Sequence, residues 1–202
     1  MKNISENNAD TLIEEFNQLN LKHYIPEVAQ NIAKSKMNAR DQHITVHLCA
    51  LMHQRYETFA EELIPAIEKM YRLAAISEFN KKRNILRHLT ELFFKGLFTE
   101  YKRCFKCLNE LIQIDFDESP EEFQHAMMVL SDYFKTYGEQ VFQIVSRESR
   151  ESIEEGFEVT IERHQFLTYG QRRRITEFLV KNYFEIKCIP AVDQKLQELK
   201  LA

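Results

Sequence analysis

Histidine and cysteine are the residues of this chain best suited to hold a metal or act as a nucleophile, and they are concentrated in one place. The run 41–59, DQHITVHLCALMHQRYETF, contains three of the seven histidines and one of the four cysteines. His43 and His47 are four apart, so on a helix they share a face and could contribute two ligands to one ion. A zinc-protease pair would need Glu at the second position, where Ile44 stands. At about 100° per residue, His53 lies about 240° and Cys49 about 200° around the helix from His47. Four ligands therefore do not converge, and no second cluster completes the set. The apolar positions Ile44, Leu48, Leu51 and Met52, with the aliphatic stem of Arg55, account for the run as the inner face of a core helix.

The remaining chemical signals resolve the same way. Cys104-Phe105-Lys106-Cys107 is a lone C-x-x-C with neither the strand–helix context of a redox motif nor the second pair of a zinc site. On a helix its thiols fall beside Leu108 and Leu111 as small apolar groups. Four separated glycines, Gly96, Gly138, Gly156 and Gly170, cannot form a phosphate-cradling loop, and no G-x-S-x-G element occurs. The pairs Glu14-Glu15, Glu61-Glu62 and Glu154-Glu155 are adjacent in sequence, so they diverge on a helix and read as solvated surface. No catalytic residue, metal or cofactor is expected.

What remains is surface. Lys81-Lys82-Arg83, Lys102-Arg103 with Lys106, and Arg172-Arg173-Arg174 are basic spots open to an acidic partner or to phosphates. Arg172–Arg174 falls where a helix starts, against the helix dipole, which raises its interest. His53 and Arg55, if their polar heads are exposed, contribute to a partner surface. These five residues, His53, Arg55, Arg172, Arg173 and Arg174, are the candidate interaction surface.

The elements that must position them are helices. Only 4 Gly and 4 Pro in 202 residues, with abundant Leu, Glu, Lys and Gln, is a composition poor in turns and rich in helix formers. Apolar spacing predicts helices over 10–19, 24–36, 40–56 and 59–75, the last with a kink at Pro65. Further helices are expected over 80–98 and 100–114. Ser119-Pro120-Glu121-Glu122 is a capping sequence that opens a helix running to Tyr137, with Gly138 as its stop. A shorter helix over 139–145, a charged and flexible segment over 147–162, and helices over 171–187 and 191–199 complete the chain. About ten helices with short connections give five antiparallel hairpins of roughly 40 residues each, the period of HEAT-type repeats, in an all-α solenoid. Residues 1–9 read as a polar tail and 10–202 as one helical-repeat domain.

Composition bounds the compartment and partners. The formal net charge of −4 argues against a chain-wide nucleic-acid footprint, although RNA contact through the basic spots stays open. No run of about 18 apolar residues spans a membrane. The polar start MKNISENNAD is not an export signal, so Asn3-Ile4-Ser5 is not expected to be glycosylated and the cysteines are expected to be reduced.

A resemblance adds to this reading. Phe16-Asn17-Gln18-Leu19-Asn20-Leu21 with Tyr24-Ile25, then Val46 through Tyr56 (VHLCALMHQRY) with Phe59-Ala60, look like a known family. Glu91-Leu92, Gly96 and Phe98-Thr99 fit its fifth helix and the turn after it. The chain resembles the first middle-of-initiation-factor-four-gamma module of the up-frameshift-factor-two family, scaffolds of nonsense-mediated mRNA decay. The likeness is specific over about residues 12–100 and loose over 147–162. It implies a crescent of about five helical hairpins serving protein interaction without catalysis. The family's best-known partner contacts lie in other modules, so no partner-binding residue is carried over. The implied partners are other mRNA decay proteins or other modules of one long chain, in the cytoplasm, its perinuclear part included. A translation-initiation-type adaptor that docks an RNA helicase shares the fold and is the alternative.

Overall fold

The computed structural model describes residues 8–35, 41–142, 151, 153–156 and 166–183. Among them are eight α-helices and no strand: α1 Ala9–Gln18, α2 Ile25–Lys34, α3 Gln42–Arg55, α4 Phe59–Leu73, α5 Phe79–Phe94, α6 Lys102–Leu111, α7 Pro120–Phe142 and α8 Tyr169–Tyr183. Short 3₁₀ turns, Lys22–Tyr24 and Ile76–Glu78, lead into α2 and α5. The class is all-α, as expected, with fewer helices than the ten foreseen. The expected helix over 191–199 and most of the charged segment 147–162 lie outside the described residues. No helix among those described is long and apolar enough to cross a membrane.

The direction of each helix follows from which residues meet. Glu68 and Tyr71 of α4 contact Arg103 and Cys107 of α6, so the two helices advance together. Phe79, Arg87 and Glu91 of α5 meet His125, Thr136 and Tyr137 of α7, again in parallel. The C-terminal ends of α1 and α3 meet through Phe16 and Tyr56. Phe178, late in α8, meets Phe123, early in α7, so these two helices run antiparallel. Parallel alternate helices make a two-layer stack, α1, α3, α5, α7 on one side and α2, α4, α6 on the other, with α8 against α7. Packing of α2 on α4, α3 on α5 and α5 on α7 supplies the within-layer contacts, and α3–α4, α4–α5, α5–α6 and α6–α7 join the layers. This is the HEAT-like arrangement that the helix spacing predicts.

One hydrophobic cluster runs through the stack from Phe16 to Ile175. In α3, Ile44, Leu48 and Met52 are buried as predicted, but so are Gln42, Thr45, Val46 and Cys49, and Leu51 is only half-buried. The helix packs against both α4 and α5, so it is covered around most of its circumference rather than along one stripe.

Two glycines show how local signals yield to packing. Gly96, with φ of 79°, ends α5 at Phe94 rather than at 98. Its N–H bonds Phe93 O at 2.9 Å and Leu97 N–H bonds Leu92 O at 3.1 Å, the paired bonds of a Schellman stop. Gly138 was the expected stop of α7, yet the helix continues through it to Phe142, in place of a separate helix over 139–145. Val141 and Phe142 are buried, and Phe142 stacks on Phe134 with centroids 4.2 Å apart. Burying one such side chain is worth about 1.5–3 kcal/mol, more than the ~1 kcal/mol helix cost of a glycine.

Candidate interaction surface

Arg55 lies at the C-terminus of α3, exposed but engaged. Its Nη1 donates to Phe16 O at 3.0 Å and to Asn17 O at 3.5 Å, carbonyls of the last turn of α1. The guanidinium sits over the rings of Phe16 and Tyr56, 5.3 and 5.6 Å from their centroids. Beside it, Leu21 N–H donates to the Tyr56 hydroxyl at 2.9 Å. A cation serving the orphan carbonyls of a helix end is favourable in itself, so Arg55 clamps the α1–α2 connection onto α3. His53, two residues earlier, is half-buried, with Nδ1 enclosed and without a hydrogen-bond partner.

Arg172, Arg173 and Arg174 sit on α8, apart from the α3 end and separated from it by α5 and α7. The helix begins earlier than its apolar pattern suggests. Thr168 N–H donates to Gln171 Oε1 at 2.9 Å while Gln171 N–H donates to Thr168 Oγ1 at 3.3 Å, a reciprocal capping box. The arginines therefore occupy the second turn, where the dipole penalty fades. Arg172 is half-buried; Arg173 pairs with Glu177 at 2.6 Å; Arg174 is exposed.

The other basic spots change character. Lys82 is buried, its Nζ donating to Tyr71 O at 3.0 Å and lying 4.1 Å from that ring's centroid, and desolvation lowers its pKa. Lys81 pairs with Glu78 at 3.2 Å. Arg103 bridges to Glu68 at 2.9 Å. The Lys81–Arg83 spot thus has a buried centre, and sequence alone gave no sign of it.

The chemical candidates are separated. His43 and His47 are exposed while Cys49 is fully buried. Among the described residues no three His, Cys, Asp or Glu side chains are grouped to hold a metal. Cys104 and Cys107 are buried beside Leu108 and Leu111, where desolvation pushes the Cys107 thiol up to about 12 and Cys104 further. Such thiols are protonated at neutral pH and poor nucleophiles.

Sequence reasoning passed over the polar centre of the stack. Thr90 Oγ1 donates to Leu86 O at 2.9 Å, which leaves it to accept from the Tyr133 hydroxyl at 2.8 Å. Tyr133 in turn accepts from the Tyr101 hydroxyl at 2.6 Å. Three buried hydroxyls are thereby satisfied in sequence, tying α5, α7 and the start of α6 together. Burial raises both phenol pKa values, keeping the protons this relay needs. His88 of α5 is the opposite case: fully buried, neither ring nitrogen partnered, and its pKa lowered to about 4 by desolvation.

A two-layer stack of paired helices, with its titratable interior locked in packing and its charged groups outside, defines a HEAT-like helical module. Comparison with known proteins gives the likeness a particular form. Over 187 residues the chain is 28% identical to "Regulator of nonsense transcripts 2" of Homo sapiens and equally to that of Mus musculus, covering 91% of this chain. "Regulator of nonsense transcripts UPF2" of Arabidopsis thaliana is 22% identical over 142 residues, 66% of this chain. The chain spans 14% of the length of the human and mouse relatives. Among solved structures, the first MIF4G domain of human nonsense mediated decay factor UPF2 superposes with a TM-score of 0.70 at 24% identity, covering 96% of this chain and 67% of that one. No family model matches. The homologues are thus UPF2 proteins, and the fold is that of their first MIF4G domain, in agreement with the sequence resemblance.

Proposed function

We propose that the chain is a non-catalytic protein-interaction scaffold module in mRNA surveillance by nonsense-mediated decay, working in the cytoplasm. The observation that carries this is the likeness to regulators of nonsense transcripts 2 over 91% of the chain. Burial of the Cys104 and Cys107 thiols in apolar surroundings supports a structural rather than a nucleophilic role for the C-x-x-C pair. The chain works as one helical-repeat domain over 10–202 behind a polar tail over 1–9, a reading supported by the continuity of the core from Phe16 to Ile175. Its partners are other mRNA decay proteins or further modules of one long chain. His53 with Arg55, and Arg172 with Arg173 and Arg174, are candidate contact points at separate places on the stack. Arg55 acts there as a side chain already immobilised, which lowers the ordering cost of a contact.

A pull-down from cell extract with the isolated chain tests the reading. Recovery of decay factors is expected; recovery of translation-initiation factors alone overturns it in favour of a helicase-docking adaptor. An Arg173→Glu/Arg174→Glu variant that loses those factors while keeping its helical circular dichroism spectrum assigns the contact to α8.

A further inference from the structure

The parallel course of α4 and α6, bridged by the Glu68–Arg103 and Tyr71–Cys107 contacts, assembles a basic surface that no stretch of sequence contains. On α4 the positions Glu62, Pro65, Lys69 and Leu73 form one outward stripe at helical spacing, and all are exposed. On α6, Lys102, Lys106 and Glu110 form the corresponding stripe, also exposed. The Glu68–Arg103 ion pair at 2.9 Å joins the two helices along the seam between those stripes. Arg72, one turn beyond Glu68 on α4, is exposed on the same side of the helix. Five cations, Lys69, Arg72, Lys102, Arg103 and Lys106, therefore share the surface with three carboxylates, Glu62, Glu68 and Glu110. Of the five, only Arg103 has an ion pair or hydrogen bond among the described residues.

We infer that the α4–α6 seam is a docking surface for an acidic protein segment carrying an apolar residue. Charge complementarity selects the acidic partner, because cations outnumber carboxylates on this surface and Lys69, Arg72, Lys102 and Lys106 make no ion pair within the described residues. The apolar component is matched by Leu73, 67% exposed and in line with Lys69. A nucleic acid fits less well. The exposed aromatics of the described residues, Tyr24, Phe116 and Tyr169, lie on other elements, so the seam offers no exposed ring on which a base stacks, and Glu68 and Glu110 interrupt any phosphate track. The inference rests on the scaffold reading only in requiring a protein partner, and it concerns a surface distinct from the α3 and α8 candidates.

The test uses the folded chain and a fluorescein-labelled synthetic helical peptide of Glu and Leu, with a Gln and Leu peptide as its neutral counterpart, read by fluorescence anisotropy. Binding of the acidic peptide alone is expected, weakening with salt. The variant Lys69→Glu/Lys102→Glu/Lys106→Glu should lose about tenfold in affinity or more, as reversal of a complementary patch does. Lys34→Glu/Lys135→Glu, which reverses two exposed cations elsewhere, should bind as the parent does. All five substituted residues are exposed, and an unchanged circular dichroism spectrum verifies that the variants fold. Equal loss in the control variant, or undiminished binding by the triple variant, overturns the proposal. So does displacement of the peptide by a uridine oligonucleotide that itself depends on the same three lysines. Recovery of decay factors from extract reports on the scaffold reading separately, so either idea can fail alone.

Discussion

The α5–α7 seam and the α4–α6 seam share a geometry, two parallel helices in one layer of the stack, and differ in how their polar groups are met. Along α5–α7 polar groups meet across the helices: Arg87 with Asp132 at 3.5 Å and Thr136 at 2.8 Å, Thr90 with Tyr133, and Tyr137 donating to Glu91 at 2.7 Å, while His125 stacks on Phe79. Along α4–α6, Tyr71 donates to Cys107 O at 3.0 Å and Glu68 meets Arg103, while Lys69, Arg72, Lys102 and Lys106 make no ion pair within the described residues. A seam closed on itself contributes cohesion. One with surplus charge of a single sign holds the helices together less well than it could, which is expected where a surface is kept for something outside the fold.

The strongest way to break this contrast is at Tyr133, fully enclosed and central to the closed seam. Tyr133→Ala removes a large buried ring and should cost about 3–5 kcal/mol in urea unfolding. Tyr133→Phe keeps the ring but leaves the Tyr101 hydroxyl without its acceptor, and about 1–3 kcal/mol is expected. Equal losses from the two substitutions would mean that the hydroxyl relay, not the packing, carries the seam.

His88 is the weak point of the same helix and makes its stability depend on pH. Burial lowers its pKa to about 4 in the fold, against an ordinary value near 6.5 in the unfolded chain. Between those values the unfolded state binds the proton and the folded state does not, so stability falls as pH drops from about 6.5 to about 4. The change is on the order of 3 kcal/mol, complete near the lower limit and absent above the upper one. His88→Leu should flatten that part of the pH profile of the unfolding midpoint. A profile unchanged by the substitution would place the acid sensitivity elsewhere.

How much of this was legible depended on whether a signal was local. Ile44, Leu48 and Met52 announced the inner face of α3, and Cys104 and Cys107 their own burial, because helical spacing encodes which residues share a side. The opening of α7 at Pro120 was legible from its capping sequence. Burial of Lys82 was not, since it lies within a Lys-Lys-Arg run and its acceptor, Tyr71 O, belongs to the preceding helix. The T-x-x-Q box at Thr168 was present but obscured by Gly170 within it, a residue that reads as a breaker. The α4–α6 patch was half legible: Lys102, Arg103 and Lys106 stand together, whereas Lys69 and Arg72 join them only through parallel packing.

Gly138 sharpens the comparison from the stabilising side. It lies mid-helix within the closed seam, and a Cβ built there meets nothing within 4 Å. Gly138→Ala should therefore stabilise α7 by up to about 1 kcal/mol, read as a raised unfolding midpoint. A loss would mean that the helix needs the glycine to bend around Phe142 and that the seam is tighter than its backbone geometry suggests.

The smallest effect is expected where the α4–α6 seam has its only ion pair. Glu68 and Arg103 are partly solvated, with side chains 22% and 39% exposed, so water and salt screen them. Arg103→Ala should cost about 0.2–1 kcal/mol, less still at high salt. Its partner substitution distinguishes cohesion from surplus charge. Glu68→Gln removes one of three carboxylates among five cations, so repulsion should make its cost in low salt exceed that of Arg103→Ala, with the difference closing as salt is added. If the two substitutions cost the same at every salt concentration, the seam carries no uncompensated charge, and its contrast with α5–α7 reduces to a difference in burial.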